Sequence, residues 1–148
     1  MTVFIFSRSQ LMAILEKMSF DRCAIISFAD TDKDFLEFPI EANVLKISFY
    51  DVRPHQVRKK DYGSLLPEAK EIAAFIQKNI SEGKDIICQC EYGISRSSGC
   101  AAAIMEHYEQ KGISVFSDYR YTPNLFVYHK VLMGLNQFNE KITSFHPQ

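Results

Sequence analysis

An apolar, β-prone run, Ile86-Ile87-Cys88-Gln89, leads into Cys90, and Arg96 stands six positions further on, where an alanine-rich stretch from Ser97 reads as a helix. This strand, loop and helix constrain the fold more than any other part of the chain. A short loop from a strand end to a helix N-terminus points successive backbone N–H groups into one concavity, and the helix dipole adds partial positive charge there. Glu91, Tyr92, Gly93, Ile94, Ser95 and Arg96 would then form a nest for phosphate or another oxyanion with several oxygens. The Arg96 guanidinium is a planar fork that matches two such oxygens. The same positive surroundings favour Cys90 as thiolate, the form that attacks. Nucleophile and oxyanion cradle thus fall in one short segment.

Strands and helices alternate around it. Thr2 to Ser7 is a β-rich run, and Leu11, Ile14, Leu15 and Met18 recur at helical spacing over Gln10 to Met18. Arg22 to Phe28 and Ala42 to Phe49 read as strands, separated by a polar loop at Asp30 to Asp34. Residues 52–63 turn polar and basic between the breakers Pro54 and Gly63, which marks a surface loop. Pro67 suits a first helical turn, and the stripe Ala69, Ile72, Ala73, Phe75, Ile76 and Ile80 gives a helix from about Pro67 to Ser81 that closes near Gly83. Asp85 to Gln89 is the strand that feeds the loop. Ser97 to about Gln110 is the helix that leaves it, with Gly112 as its C-cap. A polar turn region at Phe116 to Asn124 precedes a last helix from Leu125 to Asn139. The expected architecture is α/β, a central, mostly parallel sheet flanked by helices. Cys90 lies at the C-terminal end of a central strand, where open α/β sheets bind ligands.

Composition sets the outer bounds. With 148 residues, 47% of them apolar, the chain buries a real core and is expected to form a single domain over 1–148. A formal net charge of −1 gives no global basic field, so neither nucleic acid nor an anionic membrane is an expected partner. The apolar runs are far below the roughly 20 residues of a membrane helix, and no signal peptide is evident. Cys23, Cys88, Cys90 and Cys100 sit in strand-like or helix-like contexts, which points to reduced, cytoplasmic thiols rather than a disulfide scaffold. Cys88-Gln89-Cys90 lacks a second ligand pair at zinc spacing, so no metal site is expected.

Cys90, Arg96 and Ser97 resemble, residue by residue, the loop of the cysteine-based protein tyrosine and dual-specificity phosphatases: Cys, five residues, Arg, then Ser or Thr. Gly93 and Ser95 also fit, and the run at 93–97 is close to the dual-specificity form. One departure stands out. Gln89 occupies the place where the family usually has His, which organises hydrogen bonds around the nucleophile's backbone. A Gln side chain still donates and accepts, but brings no imidazolium charge. The likeness extends over roughly residues 42–138, including the Thr122-Pro123-Asn124 turn.

The resemblance implies a metal-independent and cofactor-free phosphomonoester hydrolase with a phosphocysteine intermediate. Cys90 is the expected nucleophile, Arg96 the phosphate-binding cation, and Ser97 a hydroxyl that stabilises the sulfur. The family also places an Asp on a loop upstream as general acid. Asp51, at the end of a strand, is the first candidate here and Asp61, in the same loop, the second. Expected substrates are phosphotyrosine proteins or peptides, with phosphoserine and phosphothreonine as further candidates. Arg53, His55, Arg58, Lys59 and Lys60 beside Asp51 form either a solvated loop or a rim that steers phosphopeptides. Glu91 and Tyr92 stand where phosphoinositide-directed relatives carry lysines, which disfavours highly charged inositol lipids. Cys88 and Cys100 are core residues that could trap oxidised Cys90 as a disulfide. Two other readings use the same loop: a pseudophosphatase that binds phosphorylated partners without turnover, and a sulfur-transfer or arsenate-reducing enzyme with a resolving thiol such as Cys88.

Overall fold

The computed structural model describes residues 1–144, with side chains through residue 138. Four strands, β1 (Val3–Phe6), β2 (Cys23–Ala29), β3 (Val44–Ser48) and β4 (Asp85–Gln89), form one sheet in the order β1-β4-β2-β3, and every pairing is parallel. β4 is central, and its Ile86, Ile87 and Cys88 are buried, as a strand covered on both faces requires. The helices are α1 (Arg8–Leu15), α2 (Ala69–Ser81), α3 (Arg96–Glu109), α4 (Ile113–Phe116) and α5 (Leu125–Ser144).

The two faces carry different cores. Ile26, Ile86 and Cys88 point to the face where Ile72 and Ile76 of α2, Ala101 and Ile104 of α3, and Val127, Val131 and Leu135 of α5 pack. Ile25 and Ile87 point the other way, to a smaller core closed by Leu11 and Leu15 of α1 and by Leu36. Alternation along each strand sends adjacent residues to opposite faces. Gln89 therefore faces the smaller core's side, and the chain continues into Cys90 on the larger core.

α1 starts at Ser7, whose hydroxyl accepts from Gln10 N–H while the Gln10 side chain accepts from Ser7 N–H. This reciprocal cap satisfies two otherwise orphaned donors. α2 ends as expected, with Gly83 at φ 77° just past its last turn. It begins two residues later than Pro67, which lies in the turn before it.

One local expectation is corrected, the C-cap of α3, and short elements are added. The basic segment after Asp51 is largely exposed, as a surface loop should be, and winds into two 3₁₀ turns, Pro54–Gln56 and Lys59–Ser64, pinned by Tyr62 Oη donating to the Pro54 carbonyl at 2.9 Å. α3 is closed by Gln110, which takes the left-handed conformation at φ 56°. Gly112 sits instead at φ −56° ahead of α4. What glycine provides there is space, because a Cβ would lie 2.8 Å from Glu106 Cβ and 2.9 Å from the Ala102 carbonyl oxygen. α4 itself, a single turn, begins within the segment between α3 and the polar turn region and carries too few residues for periodicity to show.

Candidate functional site

Residues 90–96 connect the end of β4 to the start of α3. The conformation depends on Gly93. It has φ 65°, and a Cβ there would come within 2.6 Å of Ser7 N and 2.9 Å of the Phe6 carbonyl carbon. Neither the backbone angle nor the close approach to the end of β1 admits another residue without strain. Arg8 N–H donating to the Glu91 carbonyl at 3.1 Å and Cys90 N–H donating to Phe6 O at 3.3 Å tie the loop to the same place.

The loop's own donors are left over. Among the described residues, none of the N–H groups of Glu91, Tyr92, Gly93, Ile94, Ser95 and Arg96 donates to a protein acceptor. Six consecutive unpaired N–H groups at the mouth of a 14-residue helix are donors available to an anion. Arg96 opens that helix with its side chain 7% exposed. Its Nη1 donates to Asp30 Oδ1 at 2.8 Å and to the Phe49 carbonyl at 2.7 Å, which anchors the guanidinium at the ends of β2 and β3. Its Nε is buried without a partner. A buried donor left unmade is costly, and an oxyanion in the loop is the group that would satisfy it.

Cys90 is 3% exposed, and its Sγ lies 3.0 Å from Ser97 Oγ on the first turn of α3. Ser95, the residue before α3, donates its hydroxyl to Asp51 Oδ1 at 2.7 Å. Asn124 Nδ2 donates to the same oxygen at 2.8 Å and to the Val52 carbonyl at 3.0 Å. The structure therefore brings Cys90, Arg96, Ser97 and Asp51 together with Ser95. Asp61 is elsewhere: its carboxylate accepts from Arg58 Nε at 3.1 Å on the second 3₁₀ turn. The rim residues Arg53, His55, Arg58, Lys59 and Lys60 are all exposed.

Gln89 adds a layer beneath Cys90. Its Nε2 donates to the Cys90 carbonyl at 3.0 Å, and its Oε1 accepts from Ser27 Oγ at 2.5 Å. Ser27 stands opposite Gln89 in the β2–β4 register, so parallel pairing puts both side chains on one face. The amide thus holds the Cys90 backbone with a neutral group. Gln89→Leu would strand the Ser27 hydroxyl and the Cys90 carbonyl in a buried place. The expected result is a loss of about 1 to 3 kcal/mol in stability by thermal or urea unfolding, with a milder loss for Ser27→Ala.

Cys88 and Cys100 are both fully buried beneath the loop. A hydrogen bond with Cys100, then burial, then the neighbouring Cys100 and Cys90 sulfurs hold the Cys88 thiol well above its ordinary range. It stays protonated near neutral pH, the unreactive form.

Asp30 and Ser27 at the site carry no motif, and Asn124 is marked only by the Thr122-Pro123-Asn124 turn. Asp30 is the first acidic residue past a strand whose end lies beside β4, and that is its one visible signal. In the structure Asn124 caps α5, where its Oδ1 accepts from Val127 N–H at 3.0 Å. It also approaches α3 at Gly99, where a Cβ would lie 2.6 Å from the Asn124 carbonyl oxygen.

No protein-family model matches the chain, and no curated protein matches it in sequence. Solved structures share its fold. Human DUSP28 carrying a tyrosine-to-histidine substitution gives a TM-score of 0.62 at 13% identity, over 94% of this chain and 92% of that one. The PTP-2 phosphatase of Cydia pomonella gives 0.58 at 17% identity, over 89% and 84%. PTPMT1 in complex with PI(5)P gives 0.57 at 11% identity, over 95% and 94%. The fold is that of the small dual-specificity and protein tyrosine phosphatases.

Proposed function

We propose that the chain is a cysteine-dependent phosphatase that hydrolyses phosphotyrosine in proteins or peptides, and phosphoserine or phosphothreonine where the cleft admits them. The observation that carries this reading is the row of six unpaired N–H groups over residues 91–96 with the Cys90 sulfur at its start. Phosphoryl transfer asks for positioning and for charge stabilisation on three equatorial oxygens, and such a nest with a guanidinium supplies both. Cys90 attacks phosphorus in line, Arg96 and the loop amides hold the oxygens, and Asp51 protonates the leaving oxygen. Water, activated by the ionised Asp51, then hydrolyses the phosphocysteine, with Ser97 stabilising the departing sulfur. No metal or organic cofactor enters these steps.

Asp51 is preferred over Asp61 as the acid because its carboxylate is bound to Ser95 of the loop, whereas Asp61 is paired with Arg58. A free thiol suits a reducing, cytoplasmic compartment. Among the described residues no helix is long and apolar enough to cross a membrane. PTPMT1, which has this fold, binds PI(5)P, so inositol lipids are the competing substrate class. The exposed Glu91 carboxylate at the loop's edge opposes a multiply charged headgroup.

The test is hydrolysis of para-nitrophenyl phosphate and of a phosphotyrosine peptide at pH 5 to 8 in EDTA. Release of inorganic phosphate from both is expected. An inert protein that still binds the phosphopeptide would assign it as a phosphate-dependent binding module instead, and a need for thiosulfate or a resolving thiol would assign sulfur transfer or arsenate reduction.

A further inference from the structure

An apolar groove of about 320 Å³ lies on the Asp51 side of the molecule, between the two 3₁₀ turns and α5. Pro54 and Tyr62 form one wall, and Leu125, Phe126 and Met133 the other. Its floor is fixed by the edge-to-face packing of Tyr62 on Phe126, with centroids 5.0 Å apart. Leu125 and Met133 are left 40% and 55% exposed. The groove is connected to the reaction site through the chain. Pro54 follows Asp51 by three residues, at most about 11 Å of backbone, and Leu125 follows Asn124 directly.

The turns that wall this groove are rich in basic residues. Arg53, Lys59 and Lys60 are exposed on the same turns and, among the described residues, none is paired with a carboxylate. The two acids of that segment are already engaged, Asp61 with Arg58 and Asp51 with Ser95 and Asn124. Lys130, on the α5 wall, donates its ammonium to the Gly63 carbonyl at 3.2 Å. On a chain of net charge −1, this is a local concentration of positive charge around an apolar slot.

We propose that this groove docks a segment of the phosphoprotein substrate that presents one bulky apolar side chain flanked by acidic residues. The apolar side chain enters between Tyr62 and Met133, and its acidic neighbours lie along Arg53, Lys59 and Lys60. An extended segment advances about 3.3 Å per residue, so the anchor falls roughly three to six residues from the phosphorylated one. Docking there would also hold the turns that follow Asp51. The identity of the partner as a substrate rests on the phosphatase reading; the groove's preference for such a segment does not.

The experiment separates the two. Binding of a fluorescent, unphosphorylated peptide with a Leu or Phe between acidic residues is followed by anisotropy, against the same peptide with Ala in place of the anchor and against one with Ser in place of the acids. The anchored acidic peptide is expected to bind about tenfold tighter than either control, weakening as salt rises. Met133→Glu and the pair Lys59→Glu and Lys60→Glu should each remove that preference. In the phosphorylated series, the same tenfold should appear in kcat/KM relative to para-nitrophenyl phosphate. Equal binding of all three peptides, or a preference untouched by the variants, would overturn the proposal while leaving phosphatase activity intact. A concentration-dependent dimer by sedimentation that Met133→Glu dissolves would also overturn it, by assigning the groove to a second copy of the chain. Peptide preference in a protein that hydrolyses nothing would instead overturn the phosphatase reading alone.

Discussion

Arg96→Lys is expected to lower kcat/KM for para-nitrophenyl phosphate by about 10³-fold, the order of loss seen when a transition-state oxyanion donor is removed. The reason lies in how the guanidinium is divided. One nitrogen is committed to Asp30 and the Phe49 carbonyl, and the buried Nε is left without a protein partner. A lysine has a single ammonium with no fixed fork. It can satisfy the anchors at β2 and β3 or turn toward the loop, but not hold both geometries. Because the anchoring positions remain available to the ammonium, the fold should survive, and unfolding measurements run beside the kinetics separate lost chemistry from lost structure. A variant that keeps a tenth or more of wild-type kcat/KM would show that the loop amides alone hold the phosphoryl group.

Asp51→Asn is expected to lower kcat by about 10² to 10⁴-fold, the usual contribution of a positioned general acid. An Asn can keep its side-chain oxygen as acceptor for Ser95 and Asn124, so the geometry around position 51 is preserved while the transferable proton is lost. The loss should grow with the basicity of the leaving group: largest for an alkyl phosphate, intermediate for phosphotyrosine, smallest for an aryl phosphate with an acidic phenol. A flat dependence would remove Asp51 from proton transfer. Asp61→Asn serves as the comparison and should leave that dependence unchanged. Asn124→Ala acts by a different route. It releases Asp51 and Val52 and also uncaps α5, so rate and stability should fall together.

The sequence was most informative where the chain is local. The strand, loop and helix over 85–109 are legible because β-prone residues, a glycine that needs positive φ, and a helix start follow one another within a few positions. Gly83 and the apolar stripe of α2 were legible for the same reason. What stayed hidden depends on register and on long-range approach. Ser27 meets Gln89 across 62 residues because β2 pairs with β4 in one register and not the next. Asp30 meets Arg96 across 66 residues at the neighbouring strand end. Asn124 is legible in the sequence only as part of the Thr122-Pro123-Asn124 turn, and its task of holding Asp51 is a tertiary contact across 73 residues. Gln110 in place of Gly112 as the left-handed residue is a packing decision: the glycine was needed where α3 and the start of α4 nearly touch.

The measurement that bears most directly on this account is to quench the protein in acid during turnover of para-nitrophenyl phosphate and locate any phosphorylated peptide by mass spectrometry. The expected result is a phosphoryl group on Cys90, transient in the wild type and absent in Cys90→Ser. Phosphate release that continues in Cys90→Ser, or a phosphoryl group on any other residue, would contradict it.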